Sequence, residues 1–333
     1  MPGLGFSDAL KSDEKLLEQT AEVFDVLMRR LGYEFYLASS TGSGRASPAG
    51  IDYHLARLMG EKHSNHCLGT HLIEPRVEKP KLGSWAWTKF AIAKFFHATL
   101  FGYTVSDFHA LRVNETTGSK RVTVDGRMPL LSNRKNVGFG VVGTLGLREP
   151  NTISYALCDS PVGLLSLVCS ALRRASPQHT LNSEEIIDIT QMAWLPGPEA
   201  GLRYWSCAVE EIRRMESEKK SSRKARVAVT VFGEAEGEGY VCPAWVGQKF
   251  EILATQRVEG KPGLLSYERP EVVVQGLRNL AQAVRAVDER LSLAGLDQVV
   301  VSNGSQTPIR AVTQEPFGDW EVESPDTVVA TSR

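Results

Sequence analysis

The pattern that most constrains this chain is strand–helix alternation near both ends, with a block of helix between. Lys15 to Leu31 carries Leu16, Leu17, Ala21, Phe24, Leu27 and Met28 at three- and four-residue spacing, which predicts an amphipathic helix stopped by Gly32. Phe35 to Ala38 predicts a short strand that runs into the small-residue turn Ser39-Ser40-Thr41-Gly42-Ser43-Gly44. Pro48 opens a second helix with Ile51, Leu55, Leu58 and Met59 facing inward, and Cys67 to Ile73 predicts a buried strand. Alternation returns with strands at Val227–Phe232 and Phe250–Thr255, followed by a long amphipathic helix over Arg269–Leu291. Between the two stretches the period is helical: an aromatic-rich segment from Trp85 to Tyr103, then Asn151–Arg174, Asn182–Trp194 and Glu199–Glu218. Asn182 can cap its helix, with Glu185 reaching back to it, while Asn114–Asn136 predicts a loop. The expected organisation is an α/β core over 1–83 and 223–292, a helical insertion over 84–222 and a tail over 293–333.

Composition narrows the function classes. Thirty-eight basic and 39 acidic residues leave a formal charge of −1, so no overall field favours nucleic acid or an anionic membrane surface. No run of eighteen or more apolar residues occurs, and Met1–Ser7 has no basic-then-apolar leader pattern. The five cysteines are scattered and lack Cys-x-x-Cys spacing, which fits reduced thiols and a cytoplasmic setting.

Three motifs invite chemistry. Gly138-Phe139-Gly140-Val141-Val142-Gly143 spells a dinucleotide fingerprint, but the residues before it are a polar loop rather than the strand the motif requires. His63, His66, Cys67 and His71 lie close in sequence, yet they straddle a helix end and a strand with no second ligand cluster. They read as a helix-end histidine cluster with exposed rings, and no metal or cofactor is expected. The turn Ser39–Gly44 has the strand–turn–helix form of a nucleophile elbow with Thr41 at its centre, between Ser39 and Ser43. A threonine hydroxyl needs a base within hydrogen-bond reach to act as a nucleophile. The competing reading of the turn is a structural glycine turn or an anion nest beside Arg45.

Several stretches together resemble the epoxide hydrolase family of the α/β-hydrolase fold, in its microsomal-type branch and divergent fungal relatives. Pro2–Ser7 is similar to a loop before the elbow, and Phe24-Asp25-Val26-Leu27-Met28-Arg29-Arg30-Leu31-Gly32-Tyr33 to the helix that leads to the nucleophile strand. Tyr155-Ala156-Leu157-Cys158-Asp159-Ser160-Pro161-Val162-Gly163-Leu164 resembles a lid helix start and is the most specific match. Leu202-Arg203-Tyr204-Trp205 and Tyr267-Glu268-Arg269-Pro270-Glu271 resemble the last lid helix and the entry to the final helix. The resemblance implies an α/β-hydrolase core with an inserted helical lid. It also implies that the first core strands are missing from this chain, leaving a sheet edge for a partner or a second copy to cover.

In that family an elbow aspartate attacks the epoxide, a histidine paired with an acid hydrolyses the resulting ester, and two lid tyrosines hold the epoxide oxygen. Matched residue by residue, the nucleophile position holds Thr41 and the histidine position holds Gly263, eight residues before Glu271. The tyrosine positions fall at Val142 and Trp205, and the acid falls among the glutamates of 234–238, with Glu234 and Glu236 as candidates. The histidine count points the same way. A hydrolase triad runs nucleophile, acid, then histidine after the last strand. The seven histidines end at His179, and Lys261 is a weak substitute because it is protonated at pH 7 unless buried.

Two functional readings follow. One is a catalytically degenerate epoxide-hydrolase-like protein that retains an apolar ligand pocket lined by the Trp85–Tyr103 region, Ser43, Val142 and Trp205. The other is an active hydrolase, lyase, isomerase or cyclase for a small apolar metabolite, with Thr41 or Ser43 served by a glutamate of the 234–238 loop. Neither calls for nucleic acid or a membrane span.

Overall fold

Four strands form one parallel sheet in the computed structural model, in the order β1 (Tyr36–Ser39), β2 (Cys67–Ile73), β3 (Arg226–Phe232), β4 (Glu251–Val258). The structure describes residues 14–42, 50–75, 77–96, 99–118, 149–175, 181–195, 197–217, 224–233 and 240–291, with isolated positions before these. Met1–Glu289 is one unit; the other, Arg290–Arg333, is described only for Arg290 and Leu291, the end of a short 3₁₀ turn.

Helix lies on both faces of the sheet, and the two-residue period of β2 decides which side chain meets which layer. All seven β2 residues are buried, as expected of a strand covered on both faces. On one face, Thr70 and Leu72 meet α2 (Ile51–Lys62), with Tyr53, Ala56, Val227, Val229 and Val231 in the same apolar cluster. On the other, Gly69, His71 and Ile73 face α11 (Pro270–Val287) and the neighbouring short helix α10 (Leu265–Glu268). Close approach favours glycine at 69 and requires it at 276. A Cβ on Gly69 would lie 3.0 Å from Leu280, and one on Gly276 would lie 2.2 Å from His71 Nε2. α1 (Leu16–Arg30) closes the far side of β1 in a cluster with α2 and α8 (Pro198–Ser217).

The expected helical segment after β2 is present, with more breaks than periodicity suggests. It contains α3 (Trp85–Phe96), α4 (Val105–Gly118), α5 (Pro150–Cys158), α6 (Pro161–Ala175), α7 (Ser183–Trp194) and α8 (Pro198–Ser217), and a short helix α9 (Pro243–Val246) lies between β3 and β4. The predicted single helix over Asn151–Arg174 divides at Asp159-Ser160-Pro161, since a proline favours a helix start and disfavours helix in the residue before it. The loop expected from Asn114 is helical to Gly118; the rest of it lies outside the described residues, as does the 138–143 glycine motif. The Asn182 cap forms as expected, with Asn182 Oδ1 accepting from Glu185 N–H at 2.8 Å and the reciprocal bond at 2.9 Å.

An ion pair between buried Asp107 and partly exposed Arg257 ties α4 to β4. Asp107 is fully buried and accepts from Arg257 Nε and Nη2, both at 2.9 Å, and from the Tyr240 hydroxyl and Thr104 N–H. Burial pushes the Asp107 carboxyl up, but Arg257, Tyr240 and the Thr104 amide outweigh it and hold it below the usual carboxylate range.

Candidate active site

Parallel strands put all their carboxyl ends along one edge, where open α/β sheets bind ligands. At that edge β1 runs into Ser40 and Thr41, β2 into Glu74, β3 into Gly233, and β4 into the turn containing Gly263. The topology therefore brings the stretches that carry the predicted nucleophile and histidine positions to one side of the sheet. Ser43, Val142, Glu234 and Glu236 themselves lie outside the described residues.

Thr41 is exposed just past β1, in the stretch of chain between β1 and α2, of which 43–49 lie outside the described residues. Two features bear on the elbow reading. The nucleophile of an elbow sits on strained backbone; the non-glycine residues with positive φ among the described residues are Lys15, Glu74 and Phe101, not Thr41. The second concerns the amides. In an elbow the N–H after the nucleophile points at the developing oxyanion. Here Gly42 N–H donates to Asp52 Oδ2 at 2.7 Å, and Thr41 N–H donates to the same oxygen at 3.1 Å. Asp52 stands in the first turn of α2, where a carboxylate is favoured by the unpaired amides and the helix dipole. Its negative charge fills the donors that an oxyanion would need.

Gly263 has φ +57, and a Cβ there would lie 2.5 Å from Glu268 Oε2 and 2.8 Å from Oε1. Glu268 is held in that place by Leu264 N–H, which donates to its Oε1 at 2.8 Å. Any side chain at 263 meets both left-handed backbone and this carboxylate. Trp205 lies on α8, half-buried against the cluster of α1, α2 and α8; beside it the Tyr204 hydroxyl pairs with Thr20 Oγ1 at 3.1 Å. A cavity of about 450 Å³ lies on α6, lined by Leu165, Ser166, Cys169, Ser170 and Arg173, none of them a predicted site residue.

The histidine cluster needs correction. Its rings are not simply exposed: His66 Nδ1 lies 3.0 Å from Asp25 Oδ1, and His63 Nδ1 lies 3.7 Å from Asp25 Oδ2. Asp25 also accepts from Arg29 Nε at 3.0 Å and the Tyr36 hydroxyl at 2.7 Å. Burial raises the Asp25 carboxyl, but Tyr36, His66 and His63 outweigh it and hold it low. Cys67 is buried, which pushes its thiol up to about 12, and no metal-holding group occurs among the described residues.

His71 is fully buried in a polar row with one residue from each strand. Ser39 Oγ lies 3.0 Å from His71 Nδ1, His71 Nε2 lies 2.8 Å from Thr230 Oγ1, and the Thr230 hydroxyl donates to Gln256 Oε1 at 3.1 Å. Burial lowers the His71 ring to about 4, so it stays neutral at ordinary pH. Sequence reasoning missed this row, Asp52 and Glu74. Glu74 is buried on left-handed backbone (φ 43), with its N–H donating to Thr230 O at 2.8 Å. The available signals were weak: an acid in a predicted first helical turn, and polar residues interrupting two buried strands.

No protein-family model matches the chain. A curated relative, epoxide hydrolase 1 of Sus scrofa, is 24% identical over 84% of this chain and 58% of its own length. The chain thus spans a little over half of that relative. Among solved structures, epoxide hydrolase of Aspergillus niger superposes with a TM-score of 0.56 at 19% identity, covering 85% of this chain and 62% of the other. Juvenile hormone epoxide hydrolase of Bombyx mori gives 0.56 at 16% identity, covering 86% and 64%. Among the described residues no single helix is long and apolar enough to cross a membrane. By sheet, helical layers and these likenesses, the chain has the α/β-hydrolase fold, and it is similar in sequence and in structure to epoxide hydrolases.

Proposed function

We propose that this chain is a catalytically degenerate epoxide-hydrolase-like protein that binds a small apolar molecule between the sheet edge and a helical lid over 84–222, without opening epoxides by an enzyme ester. The observation that carries the reading is the Asp52 carboxylate on the Thr41 and Gly42 amides. A developing oxyanion at those amides meets a fixed negative charge, the reverse of transition-state stabilisation. Two further points support it. Threonine has no carboxylate to form the ester, and Gly263 sits on backbone that accepts a histidine only with strain.

The test is saturable binding of an aryl-substituted terminal epoxide, followed by intrinsic tryptophan fluorescence with recovery of the ligand. The expected result is saturation with the epoxide recovered intact. Recovery as diol overturns the degenerate reading, and absence of saturation overturns the pocket.

A second reading keeps acid–base chemistry without an ester intermediate, as in a lyase, isomerase or cyclase. Glu74 favours it, because a buried carboxylate on left-handed backbone at the strand ends is the type of group such sites use. Under this reading Glu74→Gln abolishes whatever turnover the chain shows, while Thr41→Ala leaves it.

A further inference from the structure

The helical segment after β2 has two apolar faces, and only one is packed. On α3, Phe90 and Ala93 turn inward, and the Phe90 ring meets Tyr103, Phe108 and Trp245. The opposite face carries Trp85, Ile92 and Phe96, with Phe95 flanking it; Trp85 is 72% and Phe95 80% exposed. Leu82 and Phe101 extend this surface and are exposed as well. A helix apolar on all sides belongs in a core or against lipid, and an exposed apolar patch of this kind marks an interaction site.

Charge decides between partners. From Lys79 to Ser106 the sequence has four lysines, Lys79, Lys81, Lys89 and Lys94, and no aspartate or glutamate. The whole-chain balance of −1 conceals this local excess. Lys89 Nζ lies 5.7 Å from the ring centroids of both Trp85 and Phe101, so the cation sits among the exposed aromatics. Phe101 is held outward on left-handed backbone (φ 57), a conformation that a bulky residue rarely adopts.

Lys79 and Lys94 lie 5.5 and 5.9 Å from the inward Phe90 ring, so Lys89 is the cation set among the exposed rings. Exposed rings with a lysine among them, in a segment that is basic and free of acids, match an interfacial helix, whose rings enter the acyl boundary while the cations meet anionic headgroups. A second copy of the same face fits less well, because it sets like charges against each other. We infer that α3 and its flanking residues dock this chain onto an anionic lipid surface.

The test is co-flotation of the full chain with phosphatidylcholine vesicles, with and without about one-third phosphatidylglycerol. The expected result is binding to the anionic vesicles that falls at least ~10-fold with Lys89→Glu and at roughly 0.5 M salt. Trp85→Ser/Phe95→Ser/Phe96→Ser is expected to abolish flotation with an unchanged circular dichroism spectrum and melting temperature, since these rings are exposed. The salt titration uses the unaltered chain and so does not depend on the variants folding. Failure to float with either vesicle, or equal flotation with both that ignores lysine reversal, overturns the inference. Concentration-dependent dimerisation removed by the triple variant, without vesicle binding, assigns the face to a second copy and also overturns it.

Discussion

The edge of the sheet and its interior use polar residues in opposite ways. Inside, Ser39, His71, Thr230 and Gln256 join across four strands, Asp25 gathers four partners, and Asp107 is held by Arg257, Tyr240 and Thr104. At the edge, Thr41 is exposed, and the amides beside it are already occupied by Asp52. The groups with the most chemical potential, a neutral histidine and low-pKa carboxylates, are committed to holding elements together. The contrast predicts that interior polar positions resist substitution and that the edge tolerates it.

The largest expected effect is at the α4–β4 tie. Arg257→Ala leaves the fully buried Asp107 without its counter-charge and is expected to cost about 3–5 kcal/mol by urea unfolding. The half-exposed Arg203–Glu199 pair provides the control, with a loss of about 0.5 kcal/mol or less.

Next is the pH response of the sheet row. The His71 ring titrates near 4 when folded and near its ordinary 6.5 when unfolded. As pH falls below 6.5 the unfolded chain takes up a proton that the folded chain refuses. Stability from this group is therefore full above pH 6.5 and is lost by pH 4, by about 3 kcal/mol. His71→Gln is expected to flatten that window; an unchanged slope contradicts the buried neutral ring. Gly276→Ala drives a methyl into the same ring and is expected to cost about 1–3 kcal/mol.

The smallest effects belong to the edge. Asp52→Ala removes a carboxylate from two amides and is expected to cost about 0.5–2 kcal/mol, as loss of a helix cap does. Thr41→Ala is expected to fall within about 0.5 kcal/mol of the unaltered chain. If Thr41→Ala destabilises more than Gly276→Ala, the contrast between edge and interior fails.

Most of the elements were legible because their periods are strong: the helix from Leu16 and strands β2 and β3 lie within about a residue of where spacing puts them. Helix α4 was not, because its apolar residues do not collect on one stripe. The end of β1 before Ser40 could be read from the small residues that follow it, but the occupant of the Thr41 and Gly42 amides could not. That contact depends on how α2 folds back over ten residues, which no local rule fixes. The same holds for Ser39 and His71, 32 residues apart and brought together by strand register. The aromatic cluster from Trp85 to Tyr103 was legible, but the basic excess around it escaped for another reason: a net charge summed over 333 residues averages away a local excess.

The most direct test of the central claim compares diol formation from an aryl-substituted terminal epoxide by the full chain and by Thr41→Ala, side by side. Both are expected to match the uncatalysed rate. Diol above background in the unaltered chain that disappears in Thr41→Ala contradicts it.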